Sequence, residues 1–210
     1  MKFGNNELVK NGHALPLMEQ FLTIQGEGFH SGKAAYFIRL AGCDVGCHWC
    51  DVKESWEADK YPATSVKQII REVSAANTDM VIITGGEPLM YNLDFLCIEL
   101  KSTGIKIHLE TSGAYMLSGC FDWICLSPKK FKKPVESIYK KADELKIIVF
   151  NKSDLEWAEQ NAALVLESCH LLLQPEWSRS KQMNPLIVEY VKKNPKWKIS
   201  LQTHKYIGVR

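Results

Sequence analysis

The stretch Ala35-Tyr36-Phe37-Ile38-Arg39-Leu40-Ala41-Gly42-Cys43-Asp44-Val45-Gly46-Cys47-His48-Trp49-Cys50-Asp51 sets a mostly apolar run directly before three closely spaced cysteines. Residues 35–40 read as a buried strand, since a short apolar run bounded by a glycine loop suits a strand covered on both faces. The cysteines then lie in the loop at its carboxyl end, spaced C-x3-C-x2-C, with no fourth cysteine at a spacing that completes the set. Four thiolates close a zinc site or saturate an iron–sulfur cluster, whereas three hold a four-iron cluster with one iron open to a ligand. A structural zinc site is the alternative, with His48 or a distant cysteine as fourth ligand. His48 sits directly beside Cys47, an awkward place from which to share one ion. Cys97 falls on the apolar face of a predicted helix; with Cys120, Cys125 and Cys169 it is assigned to packing.

Outward from this stretch, helix-like and strand-like segments alternate. Ser65, with Gln68 three residues on, reads as a capping box opening a helix that buries Val66, Ile69, Ile70 and Val73. Residues 80–84 form the next strand. Asn92 begins a helix with Leu93, Leu96, Cys97 and Leu100 on one face, Thr103-Gly104 stops it, and 105–109 return as a strand. Residues 123–126, 146–150 and 171–173 are further short strands. Ser153 and Glu156 make a second capping box before a helix carrying Leu155, Ala158, Ala162 and Val165, and Asn184-Pro185 reads as an N-cap with proline at the first helical position. Residues 197–201 close the series. This order predicts an α/β fold with a mostly parallel sheet and right-handed crossovers. A complete eight-unit barrel takes roughly 250 residues, so a partial barrel or an open sheet is expected, with its ligands at the carboxyl ends of the strands.

The chain is expected to form a single domain over residues 1–210, since nothing in it reads as a linker. No apolar stretch is long enough to span a bilayer, and residues 1–7 lack the apolar core of a signal peptide, so a cytoplasmic protein without a membrane partner is expected. Twenty-six basic against 24 acidic residues give a net charge of +2, too little to call for nucleic acid. Lys129-Lys130-Phe131-Lys132-Lys133 is the one basic cluster and reads as a solvated loop or an anion site.

Thr84-Gly85-Gly86-Glu87-Pro88 adds a second strand-end turn, whose glycines expose backbone and whose carboxylate suits an ammonium group. It should face the same cavity as the cysteines. With C-x3-C-x2-C after one strand and Gly-Gly-Glu-Pro after the next, the chain resembles the radical S-adenosylmethionine (SAM) superfamily. That resemblance implies a partial (shortened) radical SAM β/α barrel and a 4Fe–4S cluster that reduces SAM, giving a 5′-deoxyadenosyl radical that abstracts hydrogen.

A third segment, Ile24-Gln25-Gly26-Glu27-Gly28, sits ahead of Arg39. Gln25 and Glu27 suit the donor and acceptor edges of a heterocycle, and Arg39 suits a carboxylate. Together with Glu110-Thr111-Ser112-Gly113, Ser127-Pro128-Lys129, Gln174-Pro175 and Leu201-Gln202-Thr203-His204-Lys205, it resembles the 7-carboxy-7-deazaguanine synthase family over nearly the whole chain. The resemblance implies ring contraction of 6-carboxy-5,6,7,8-tetrahydropterin with loss of ammonia, on the route to queuosine and other deazapurines, by a homodimeric lyase using an external electron donor such as flavodoxin. Cys43, Cys47 and Cys50 would hold the cluster. Trp49, Cys50, Asp51, Gly86, Ser127, Pro128, Lys129 and Gln174, with Glu110 and Ser112, would line the SAM site. Ile24, Gln25, Gly26, Glu27, Arg39, Thr84 and His204 would contact the pterin, as would Arg210 through its carboxylate. No side chain is assigned as catalytic, because the radical forms on the cofactor.

One position departs from the pattern. Many family members carry threonine or serine two residues after the last cysteine, where it helps to hold Mg2+ near the substrate carboxylate, and Val52 has no side-chain oxygen. Asp51 or water would have to serve. Two rivals stand beside this reading: a glycyl-radical activating enzyme acting on a protein, and a noncatalytic zinc-binding interaction protein.

Overall fold

The computed structural model describes residues 7–210. The apolar stretch ahead of the cysteines forms a strand, and the remaining strands order themselves around it. A single-turn helix α1 (Glu7–Lys10) leads into β1 (Ala14–Ile24), which runs antiparallel to β2 (Ala34–Leu40) with Phe21 opposite Phe37 and Glu19 opposite Arg39. The short β3 (Ala63–Ser65) pairs with the far side of β1 and passes straight into α2 (Val66–Ala75). The sequence continues as β4 (Met80–Gly85), α3 (Asp94–Ser102), β5 (Lys106–Thr111), β6 (Trp123–Leu126), β7 (Glu144–Val149), α4 (Asp154–Ala162), β8 (His170–Pro175), α5 (Ser180–Lys193), β9 (Trp197–Ile199) and α6 (Thr203–Ile207). The nine strands form one sheet in the order β3-β1-β2-β4-β5-β6-β7-β8-β9, parallel from β2 onward and open between β3 and β9. This is the mostly parallel, unclosed barrel expected of the sequence.

Side chains alternate between the two faces of the strands. Val81, Ile83, Ile107, Leu109, Leu145, Ile147 and Leu173 share one core with Ile69, Val73, Leu96, Leu100, Ala158 and Ile187 of the helices. On the opposite face Thr84, Glu110, Cys125, Lys146 and Gln174 line cavities, beside a small separate apolar cluster of Ala35, Met80 and Ile82. Burial of the apolar face carries the stability, each fully buried aliphatic side chain contributing about 1.5–3 kcal/mol.

Several elements differ from their sequence reading. The Ser65 hydroxyl caps α2 by accepting from the Gln68 N–H at 3.3 Å. Ser153 makes no such cap; its hydroxyl donates to Asn151 Oδ1, while Asp154 Oδ2 accepts from the N–H groups of Phe150 and Asn151, each at 2.8 Å. Asn184-Pro185 does not start α5. Pro185 lies inside that helix, where the missing N–H and the ring cost about 3 kcal/mol. Met183 and Ile187, buried against β8 and β9, offset that cost. Finally, β1 and α6 have no counterpart among the predicted elements, although both border the site.

Candidate active site

The loop after β2 and the turn after β4 are joined through their backbones. Gly86 N–H donates to Leu40 O at 2.9 Å and Glu87 N–H to Gly42 O at 2.8 Å. A Cβ on Gly86 would stand 2.4 Å from Gly42 O and 2.8 Å from Cys43 Cβ, so this glycine permits the cysteine loop to rest on the turn. The Glu87 carboxylate, expected to meet an ammonium group, is buried and hydrogen-bonded within the protein. It is 1% exposed and accepts from Thr111 Oγ1 at 2.5 Å, Ser112 N at 2.8 Å, Leu89 N at 3.1 Å and the Ser112 hydroxyl. Its chemistry is structural: it fastens the ends of β4 and β5 together.

Cys43, Cys47 and Cys50 are free thiols that line one cavity of about 200 Å3. Burial pushes the Cys43 thiol up and the Cys47 thiol to about 11, with Lys129 pulling the latter the other way, so ligation must displace their protons. Among the described residues no group of three or more His, Cys, Asp and Glu side chains gathers around a position for a single metal ion. His48 instead sets its ring edge-on to Phe131 and Phe150. Three soft thiolates around a cavity, without a fourth protein ligand, are a donor set that fits an iron–sulfur cluster better than closed zinc.

The same cavity collects Trp49, Asp51, Gly86, Glu110, Ser112, Ser127, Lys129 and Gln174; Pro128 is buried outside its lining. Lys129 Nζ donates to Ser127 Oγ at 2.6 Å and lies 5.8 Å from the Trp49 ring centroid. The basic run is a solvated turn at Lys130, Phe131 and Lys133, while Lys129 turns into the cavity. Lys130 pairs with Asp154 at 2.6 Å, and Lys132 pairs with Asp44 of the cysteine loop at 2.8 Å while covering the Tyr115 ring.

A second cavity, of about 610 Å3, holds Ile24, Gln25, Gly26, Glu27, Arg39, Thr84, His204 and Arg210. Glu27, Cys50, Asp51, Thr84, Glu110 and Trp177 line both cavities, so the two share a wall. The Gln25 amide is spent internally, donating to Glu110 Oε1 at 2.9 Å and accepting from Glu27 N–H at 3.1 Å, which leaves Glu27 as the available edge. Burial opposes the charge of Glu27, but the Lys146 ammonium at 2.6 Å and the Gln202 amide at 2.8 Å hold its carboxyl at about 2. Arg39 donates through Nε to Glu19 Oε1 at 2.8 Å, an ion pair that leaves its terminal nitrogens for a ligand. Arg210 directs its guanidinium to Glu19 and over the Phe21 ring, while its carbonyl oxygen accepts from Thr23. Gly26 lets His204 approach, since a Cβ there would meet Nδ1 at 2.1 Å. Burial favours the neutral form of that imidazole.

Sequence reasoning passed over Lys146, Glu176, Trp177 and Gln202, all in the cavity walls. Lys146 was readable: a lone charge in an apolar strand must be paired.

The comparisons agree with this geometry. Residues 37–123 match the model of the Radical SAM superfamily. A 7-carboxy-7-deazaguanine synthase of Flavobacterium psychrophilum is 53% identical over 201 residues, covering 96% of this chain and 95% of the relative. The chain belongs to the 7-carboxy-7-deazaguanine synthase family. A second family member, from Synechocystis sp., is 48% identical over 93% of each chain. The crystal structure of QueE from Escherichia coli superposes with a TM-score of 0.84 at 29% identity, over 96% of this chain and 99% of the other. As a radical SAM enzyme, this 7-carboxy-7-deazaguanine synthase family member uses a 4Fe–4S cluster and SAM, for which Cys43, Cys47 and Cys50 are the fitting ligand set.

Proposed function

We propose that the chain converts 6-carboxy-5,6,7,8-tetrahydropterin to 7-carboxy-7-deazaguanine with loss of ammonia, in the biosynthesis of queuosine and related deazapurines. The observation that carries this reading is the shared wall: the cavity at the three cysteines and the cavity at Arg39 and Glu27 adjoin through Thr84 and Glu110. When bound, the cluster and SAM supply one-electron chemistry ending in hydrogen abstraction from the substrate. The residues of the chain bind, orient and enclose. Arg39 offers a two-pronged cation to the pterin carboxylate, the anionic Glu27 accepts N–H groups of the ring, and neutral His204 lies over Gly26 at the pocket rim. Trp49, Ser127, Lys129 and Gln174 form the other wall, suited to the adenosine and methionyl parts of SAM. Enclosure keeps water and stray hydrogen donors from the reacting carbon.

Magnesium does not fit the donors present. Val52 lines the substrate cavity without a side-chain oxygen, and Oδ2 of the neighbouring Asp51 already accepts from Lys205 at 2.8 Å and Gln202 at 3.4 Å, leaving Oδ1 as the one side-chain oxygen at this position. We read the chain as one catalytic domain, in keeping with its single sheet, and as a homodimer served by an external one-electron donor such as a flavodoxin, with no nucleic-acid or membrane partner. All seven cysteines are free, as in a reducing cytoplasm, and among the described residues no helix is long and apolar enough to cross a membrane.

The test is anaerobic turnover. Reduced, reconstituted protein given SAM and 6-carboxytetrahydropterin is expected to form 7-carboxy-7-deazaguanine; absence of that product with an intact cluster overturns the substrate assignment.

A further inference from the structure

Lys146 stands within Leu145-Lys146-Ile147-Ile148-Val149 on β7, with its side chain 3% exposed. A buried ammonium is costly unless paired, and here two carboxylates bracket it: Glu27 Oε2 at 2.6 Å and Glu110 Oε2 at 2.8 Å. Each carboxylate is fixed from its other side, Glu27 Oε1 by the Gln202 amide at 2.8 Å and Glu110 Oε1 by the Gln25 amide at 2.9 Å. The network therefore runs from the loop after β1, through β7, to β5 and α6. Both carboxylates belong to the wall that the two cavities share.

We propose that Lys146 is a positioning residue that holds the Glu27 carboxylate as a hydrogen-bond acceptor toward a bound ligand and, by pairing with Glu110 as well, aligns the two halves of the site through one cation. This inference rests on the pterin reading above, because an amino-pyrimidinone ring edge presents N–H donors that a protonated carboxyl would meet donor to donor. Without the cation that both contact, the two carboxylates would face each other uncompensated.

The surrounding charges do not replace Lys146. From β7 itself, Glu144 adds a carboxyl that burial pushes toward its neutral form and that accepts from Phe29 N–H at 3.0 Å. From β6, the Cys125 thiol is also kept neutral by burial, and Lys129 beyond it donates to Ser127. From α6, burial favours neutral His204, and Lys205 is engaged with Asp51. Among the described residues, Lys146 alone forms an ion pair with Glu27 or Glu110. The depressed titration of Glu27 agrees with this arrangement.

The experiment is anaerobic calorimetric titration of reconstituted, SAM-loaded protein with 6-carboxytetrahydropterin between about pH 6.5 and 8.5, where an ordinary carboxylate does not titrate. Wild-type affinity is expected to stay flat across that range. Lys146→Met is expected to weaken binding about tenfold or more, the scale of a lost charge-assisted hydrogen bond, and to bind more tightly as pH rises. Lys146→Arg, which retains the cation, is expected to return the profile toward flat. A folded Lys146→Met protein with wild-type affinity and a flat profile overturns the proposal. Should that variant not fold, the infrared difference between wild type and Glu27→Gln at about pH 3.5, where an ordinary glutamate is mostly protonated, decides. Ionised carboxylate bands support the proposal and a protonated carboxyl band overturns it. Failure of the pterin reading shows separately, as wild-type protein that neither binds nor converts the pterin, while the infrared result still reports the charge of Glu27.

Discussion

Arg39 and Glu19 face each other across the antiparallel β1–β2 pair, with Arg39 Nε donating to Glu19 Oε1 at 2.8 Å. Arg210 takes the same carboxylate. Glu19 thus orients a guanidinium whose terminal nitrogens are committed to the cavity. Arg39→Lys removes the planar fork and is expected to lower kcat/KM by about 2 kcal/mol, mainly through KM. Glu19→Ala, which leaves the fork but frees its orientation, is expected to raise KM about tenfold with kcat little changed. Anaerobic steady-state kinetics check both; a fall in kcat at unchanged KM would remove Arg39 from substrate binding.

Gly86→Ala places a Cβ where Gly42 O stands 2.4 Å away. The cysteine loop must shift, because its backbone and not a flexible side chain occupies that space. Iron content after reconstitution is expected to fall to about half or less, while circular dichroism stays native, since the apolar face of the sheet is untouched. Full iron loading in this variant would show that the loop adapts freely.

Enzyme stripped of magnesium with a chelator is expected to keep its activity within about twofold, because the donors at Val52 and Asp51 do not build a site that favours the ion. Val52→Thr supplies the missing hydroxyl and is expected to create a magnesium response, read as kcat/KM against added Mg2+. A strong magnesium requirement in the unaltered protein would contradict this.

His108, on β5, packs 4.6 Å from the His30 ring. Burial, reinforced by the neighbouring His30, lowers its pKa from 6.5 to about 4. The unfolded chain therefore binds a proton that the folded chain refuses, so stability falls as pH drops from about 6.5 toward 4. The loss attributable to this group is on the order of 2 kcal/mol, discounted for its partial solvent access. His108→Phe is expected to flatten thermal unfolding across that interval; an unchanged pH dependence would assign the acid lability elsewhere.

How much of this was legible in the sequence depended on whether a segment's surroundings were local. The buried strand ahead of Cys43 and the Ser65 cap of α2 declared themselves, because continuous apolar runs and capping pairs are decided within a few residues. Ala14–Ile24 did not. One face of β1 meets the polar cavity, and the segment contains Pro16, Glu19 and Gln20, which blur the alternation a strand should show. Pro185 misled for a related reason: packing of Met183 and Ile187, invisible locally, outweighs the proline. The motif residues were found by type, but their use of one another was not. Nothing in the order of residues says that Glu87 is consumed by Thr111 and Ser112, or that the Gln25 amide is spent on Glu110.

Three hydrogen bonds clasp the substrate cavity across the chain: Thr23 to Arg210, Gln202 to Glu27 and Thr203 to Gly26, separated by 187, 175 and 177 residues. The backbone of the cysteine loop, by contrast, bonds to Ser55, Trp56 and Glu87 at shorter separations, while its Asp44 and Asp51 side chains reach Lys132 and Lys205. Contacts that bridge nearly the whole chain close the longest loops and carry the largest closure entropy. In native-state hydrogen exchange the amides of Glu27 and Thr203, on the long clasp, are expected to open before those of Gly86 and Glu87, which join neighbouring strand ends. The clasp that costs the most entropy to close is thus expected to be the first to yield.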